Sequence, residues 1–212
     1  EADCDQAIAI DPKNAYAYLK RGDARAKSEQ YEAAVADYRA CLELNPLLVW
    51  TYSALSWCYL QLKRYDECVK SADLATFFEP ARPASFRYRA VARYRLSQYR
   101  ECIPDFERVI DLGESSPTIF GQLAYARRET GAFSGALEDF DRGLALAPEN
   151  GWLWGNRGVC QYELRDWRGS IEALDRAEQL GEQGTYIHFH RSRAKAELGD
   201  DPGALKDLDA LI

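Results

Sequence analysis

Residues 15–48 read AYAYLKRGDARAKSEQYEAAVADYRACLELNPLL, and the same pattern returns every 34 residues along the 212-residue chain. The proline at position 32 of this stretch, Pro46, has counterparts at Pro12, Pro80 and Pro148. At the two beats without proline, position 32 is Glu114 or Glu182. Each closes a Leu-Gly-Glu tripeptide, Leu112-Gly113-Glu114 and Leu180-Gly181-Glu182, so the phase is kept. A fixed period of this length marks stacked repeats, each burying its apolar face against its neighbours. Such a fold offers surfaces rather than an enclosed active site. Full repeats are predicted at 15–48, 49–82, 83–116, 117–150 and 151–184, with a truncated one at 185–212. Residues 1–14 read as the second helix of a preceding repeat, and 1–212 as a single domain.

The columns support the period. Position 4 is Tyr18, Tyr52, Phe86, Phe120, Trp154 and His188; position 8 is Gly22, Ser56, Ala90, Ala124, Gly158 and Ser192. Position 20 is Ala34, Cys68, Cys102, Ala136, Ser170 and Ala204, and position 17 is aromatic from Tyr31 to Trp167 until Asp201 breaks it. Rings and small residues at fixed places are what paired helices need for knobs and close approaches. Within each repeat the apolar spacing is helical, with a break near position 15 and a second helical run after it. Pro83 and Pro117 open their repeats, where a helix tolerates proline, and Asp201-Pro202 reads as an N-cap with a first-turn proline. Pro104 sits where a second helix should run, which predicts a kink or a late start.

These columns resemble the tetratricopeptide repeat, a helix–turn–helix unit of 34 residues, over essentially the whole chain. The resemblance implies an all-α fold of about thirteen helices wound into a right-handed α-solenoid superhelix. It also implies a non-enzymatic scaffold for protein–protein interaction, since function on such a fold lies in the surface it presents.

Composition agrees with a helical, water-exposed chain: 47% hydrophobic, 29% charged, net charge −7. No apolar run is long enough to span a membrane, and the start shows no signal-peptide pattern. The chain opens and stops within repeats and lacks methionine, which reads as an excised segment. Its six cysteines, Cys4, Cys41, Cys58, Cys68, Cys102 and Cys160, fall mostly in small-residue columns and include no Cys-x-x-Cys pair. They read as reduced packing residues, with no metal or other cofactor, in a reducing compartment such as the cytoplasm. His188 and His190 lie two apart on one helix, and no nucleophile, phosphate-loop or metal-spaced motif is present, so no catalytic residue is assigned. Position 7 carries Arg21, Arg89, Arg157 and Arg191, and position 23 carries Asp37, Asp105, Asp139 and Asp207. They read as an ion pair between the two helices of one repeat, worth little if exposed.

In tetratricopeptide superhelices, positions 2, 5, 6, 9, 12 and 13 of each first helix line the concave side. Carried over, the resemblance places Tyr16, Trp50 and Trp57 there from the first two repeats. The third adds Arg87, Tyr88, Val91, Tyr94 and Arg95, and the fourth Gln122, Tyr125 and Arg128. Trp152, Asn156 and Tyr162 follow from the fifth, and Tyr186, Phe189, His190 and Arg193 from the sixth. Aromatic residues and arginine are the types enriched at binding hot spots. Residues 82–100 concentrate six arginines and no acid, which suits the acidic groups of a peptide partner.

The carboxylate clamp of chaperone-tail binders is excluded. Read from the first repeat its slots hold Leu19, Asp23, Ala54, Ala84 and Tyr88; read from the third, Arg87, Val91, Gln122, Trp152 and Asn156. Ser53 and Gly121 fill the lysine slot in the other two registers. The sequence therefore points to a scaffold whose aromatic, arginine-containing groove holds an extended or helical peptide of a protein partner. Two alternatives are a regulatory or substrate-recruiting arm of a larger enzyme, and nucleic-acid binding through the basic helix 82–100. The pI near 5.0 argues against the second.

Overall fold

The computed structural model describes residues 1–210; Leu211 and Ile212, the end of the truncated sixth repeat, lie outside the described residues. Among the described residues there are thirteen helices and no strand. They fall into two compact units. Unit 1, Glu1–Glu114, holds α1 (Ala2–Ile10) and the pairs α2 (Ala15–Lys27) with α3 (Tyr31–Leu44), α4 (Trp50–Gln61) with α5 (Tyr65–Phe78), and α6 (Pro83–Arg95) with α7 (Tyr99–Asp111). Unit 2 starts at Ser115 and holds α8 (Pro117–Glu129) with α9 (Phe133–Leu146), α10 (Gly151–Glu163) with α11 (Trp167–Gln179), and α12 (Thr185–Glu197) with α13 (Asp201–Asp209).

The turn within every pair is the same. Position 15 takes a left-handed backbone in all six repeats, at Glu29, Lys63, Ser97, Gly131, Arg165 and Gly199. Only two of these are glycine, so the turn is imposed by the helices it joins. Between pairs the chain has two solutions. Where proline stands at position 32, the preceding residue leaves the helical conformation, as at Asn45 (φ −147°) and Ala147 (φ −141°), because a residue before proline is kept out of the helical region. Where proline is missing, Gly113 and Gly181 turn the chain with φ near +90° and +87°. Two local expectations are corrected. Helix α7 does not start late; it begins at Tyr99 and carries Pro104 at its sixth residue. The last cap is Asp200, whose side chain accepts from Gly203 N, one residue before the predicted Asp201.

Packing within the first and fifth pairs rests on a small residue facing a large one. A Cβ at Gly22 would lie 2.8 Å from the Tyr38 ring, and one at Gly158 would lie 2.8 Å from Leu174 Cγ. Position 24 supplies the buried side chains Tyr38, Phe106, Phe140 and Leu174; burying each stabilises by about 1.5–3 kcal/mol. Position 20 is buried in every repeat. All six cysteines are free, and all but half-buried Cys4 are buried. Burial pushes the Cys58, Cys68, Cys102 and Cys160 thiols up to about 12, so they stay protonated at neutral pH.

The charge pattern is larger than the sequence suggests. Arg21, Arg89 and Arg191 each pair with the position-23 aspartate of their own repeat, at 2.6 Å to Asp37, 2.5 Å to Asp105 and 2.6 Å to Asp207. Each also reaches back to position 25 of the preceding repeat, at 2.7 Å to Asp5, 2.8 Å to Asp73 and 2.7 Å to Asp175. A cation at position 11 completes the site: Arg25, Arg93 and Lys195 meet Asp37, Asp105 and Asp207, each at 2.8 Å. This explains the two irregular repeats. Where position 7 is Leu123, Arg127 at position 11 takes Asp139. Where position 23 is Ala173, Arg157 turns back to Asp141 at 2.7 Å. The four position-23 aspartates are buried, so the small contribution expected of an exposed pair does not apply. The guanidinium groups of Arg21, Arg89 and Arg157 lie over the position-4 rings of Tyr18, Phe86 and Trp154.

Replacing Asp37 with alanine leaves Arg21 and Arg25 without their shared carboxylate. It should cost about 3 kcal/mol in urea unfolding, the low end for a broken buried pair because both arginines keep some contact with water. Asp66→Ala, at an exposed position, should cost about 0.5 kcal/mol or less.

Acid sensitivity should separate two aspartates. Burial alone would raise the Asp207 carboxyl, but hydrogen bonds from Arg191 and Lys195 outweigh it and hold the group low. Its stabilisation is full above the unfolded value of about 3.9 and is lost as pH falls through the folded value. At Asp139 burial outweighs Arg127 and Arg142 and raises the carboxyl, so its contribution falls as pH rises above about 3.9. In urea midpoints measured across acid pH, Asp207→Asn should flatten the acid limb and Asp139→Asn should steepen it.

Candidate functional site

Within unit 2 the first helices touch one another, α8 against α10 and α10 against α12. A groove of about 540 Å³ opens along them. Helix α8 lines it with Tyr125, Arg128 and Glu129, and α10 with Trp152, Asn156, Val159 and Glu163. Tyr186 and His190 come from α12, and Phe133 from the start of α9. Six of the predicted groove residues thus meet in one place: Tyr125, Arg128, Trp152, Asn156, Tyr186 and His190. Tyr162, Phe189 and Arg193 stand beside it. Arg193 lies across the Tyr162 and Phe189 rings at 5.0 and 5.4 Å. With Tyr162, Glu163, Arg165, Trp167 and Glu197 it lines a neighbouring cavity of about 480 Å³. Gln122 is half-buried on α8.

The groove is rigidly furnished. The Tyr125 and Trp152 rings stack at 5.9 Å. The Arg128 guanidinium lies 4.2 Å from the centre of the Tyr125 ring and donates Nη2 to Glu129 Oε1 at 2.5 Å and Nη1 to Asn156 Oδ1. Asn156 in turn donates Nδ2 to Trp152 O at 2.8 Å. Burial, with Arg193 and Arg128 nearby, pushes His190 down to about 4, so the ring is neutral at pH 7. Among the described residues neither His190 Nδ1 nor Tyr186 Oη has a hydrogen-bond partner, and both atoms are buried. Burial also raises the Tyr186 hydroxyl.

Glycines make room for the rings. A Cβ at Gly121 would meet Leu153 Cδ2 at 2.8 Å and the Trp152 ring at 3.0 Å. One at Gly155 would collide with the Tyr186 hydroxyl. Both glycines stand at position 5, and the ring each admits stands at position 2 of the next repeat. In the sequence Gly121 shows as a missing lysine of the clamp, and nothing there marks it as the seat of a ring. Phe133 was also missed, because its column reads as packing.

In unit 1 the predicted residues are more dispersed. Tyr16 and Trp50 are exposed and in ring contact at 6.4 Å. Trp57 packs edge-on against Tyr31 at 5.3 Å, and Tyr94 against Tyr99 at 5.8 Å. Val91 and Tyr88 are half-buried, with the Arg87 guanidinium 5.1 Å from the centre of the Tyr88 ring. Arg87 also donates to Glu114 at 3.0 Å, whereas Arg95 is exposed. Arg82 pairs with Glu79, and Arg89 and Arg93 with Asp73 and Asp105. Four arginines of the 82–100 stretch therefore meet carboxylates, which breaks up the basic footprint that a phosphate backbone requires.

Models of the tetratricopeptide repeat match residues 15–46 and, in two overlapping segments, 89–151 and 121–185. The chain belongs to the tetratricopeptide repeat family. Tetratricopeptide proteins are interaction scaffolds that bind protein partners and are generally non-catalytic. Over 44 residues the chain is 43% identical to a DnaJ homolog subfamily C member 7 homolog of Dictyostelium discoideum, 21% of this chain and 8% of that protein. The solved structure of YrrB, described as a tetratricopeptide protein with an unusual peptide-binding site, matches 87% of this chain and 95% of its own, with a TM-score of 0.79 and 20% identity. MamA of Desulfovibrio magneticus RS-1 matches over 77% and 92%, at 0.69 and 16%. PilF of Pseudomonas aeruginosa matches over 91% and 88%, at 0.65 and 16%. At these identities the likeness is one of tetratricopeptide fold. No helix among the described residues is long and apolar enough to cross a membrane.

The position-5 glycines give a coupled test. Tyr186→Phe removes a buried, unpartnered hydroxyl and should raise stability by about 1 kcal/mol. Gly155→Ala should lower it by about 1–3 kcal/mol through overpacking. In the double variant the alanine should cost less than it does alone, because the colliding oxygen is gone. Thermal and urea unfolding of the four proteins reads the cycle.

Proposed function

We propose that this tetratricopeptide chain is a non-enzymatic scaffold whose unit 2 groove holds an extended or helical peptide segment of a protein partner. The observation that carries the reading is the convergence of Tyr125, Trp152 and Tyr186 from three successive repeats around one immobilised arginine. Aromatic walls offer large, stiff surface at small entropic cost, and a groove of about 540 Å³ suits the side chains of a short segment. Arg128 is already stacked and hydrogen-bonded, so binding need not order it. Because Glu129 meets Arg128 and Glu114 meets Arg87, ring burial rather than attraction to acidic groups is the main source of affinity. The buried, protonated thiols suit a reducing compartment such as the cytoplasm.

The test uses an immobilised library of short peptides probed with the full chain. Trp152→Ala combined with Tyr125→Ala should weaken retained peptides by more than tenfold with helicity unchanged, as expected when two stacked hot-spot rings are removed. Arg168→Ala and Glu172→Ala, at exposed positions on α11, should leave binding within about twofold. Unchanged binding by the ring variant would place the partner elsewhere.

A further inference from the structure

We infer that the unit 2 groove selects a basic side chain, lysine or arginine, from its partner, with Glu163 as the counter-ion; the inference rests on the groove reading above. The charges lining the groove are one arginine against two glutamates, Arg128 with Glu129 and Glu163. Arg128 and Glu129 are spent on each other, 2.5 Å apart. Glu163 is exposed, lines both the groove and the neighbouring cavity, and makes no ion pair among the described residues. His190 is neutral at pH 7 and adds no repulsion. Arg193 and Arg165 line the neighbouring cavity and not the groove.

The rings argue in the same direction. Trp152, Phe133 and Tyr186 line the groove with further rings, and ring faces attract cations. The groove already shows this chemistry internally: the Arg128 guanidinium lies over Tyr125 at 4.2 Å with a carboxylate on its edge. A partner's lysine or arginine at the Glu163 end of the groove would find an exposed carboxylate that pairs with no cation among the described residues, while the segment beside it lies against the groove rings. An acidic side chain would meet two carboxylates and a cation already paired, and like-charge juxtaposition is costly. The net charge of −7 favours approach of a basic segment as well.

A positional-scanning library of acetylated, amidated peptides, probed with the full chain, reads the preference. Retained peptides should be enriched in lysine or arginine at one position, and changing that residue to glutamine should weaken binding by about tenfold. Arms with lysine and with arginine there separate the ammonium from the guanidinium. Glu163→Gln, an exposed position that should leave helicity intact, should bind the basic peptide about tenfold more weakly and the glutamine peptide as the parent does. Enrichment in acidic or neutral residues, with Trp152→Ala still abolishing retention, overturns this inference and leaves the groove reading standing. No retention, or retention indifferent to Trp152→Ala, overturns both.

Discussion

Everything in each repeat depends on how closely its two helices approach at position 8. A glycine, alanine or serine there lets the position-24 side chain of the second helix lie against the backbone of the first; Tyr38 over Gly22 and Leu174 over Gly158 leave no room for a Cβ. The approach brings positions 7 and 11 of the first helix within reach of position 23 of the second. That is why an arginine can serve a buried aspartate and a position-25 acid of the preceding repeat together. The ion pairs are a consequence of close packing, and they make it specific, because a slip between repeats would strand a buried carboxylate.

Most of the fold was legible because it is periodic. Proline and Leu-Gly-Glu mark the same beat by different backbone means, extended before Pro46 and left-handed at Gly113. Less legible was anything joining one repeat to the next. The aspartates at position 25 skip two repeats, where Arg39 and Glu107 stand instead, so the column looks random until Arg89 is seen to touch Asp73. A late start of the helix at Pro104 was expected because the ring removes one backbone donor, yet α7 already runs from Tyr99. The surrounding columns of α7 keep the helix continuous.

The groove was half legible. The family pattern put Tyr125, Trp152, Asn156, Tyr186 and His190 on one side, and they line one groove. What the pattern could not give was the state of the charges. Arg87 and Arg128 read as available cations, but Glu114 and Glu129 reach them, one from 27 residues away and the other from the next residue. Position 5 taught the same lesson: glycine at 121 and 155 is a vacant lysine slot in one family template and a seat for the next repeat's ring here.

The central claim is that a partner segment lies along α8, α10 and α12 of unit 2. A crystal structure of the full chain with a retained library peptide tests it most directly. The account predicts peptide density against Tyr125, Trp152 and Tyr186, with Arg128 still held by Asn156 and Glu129. Density lying instead along the second helices α9, α11 and α13, with the groove unfilled, would contradict it.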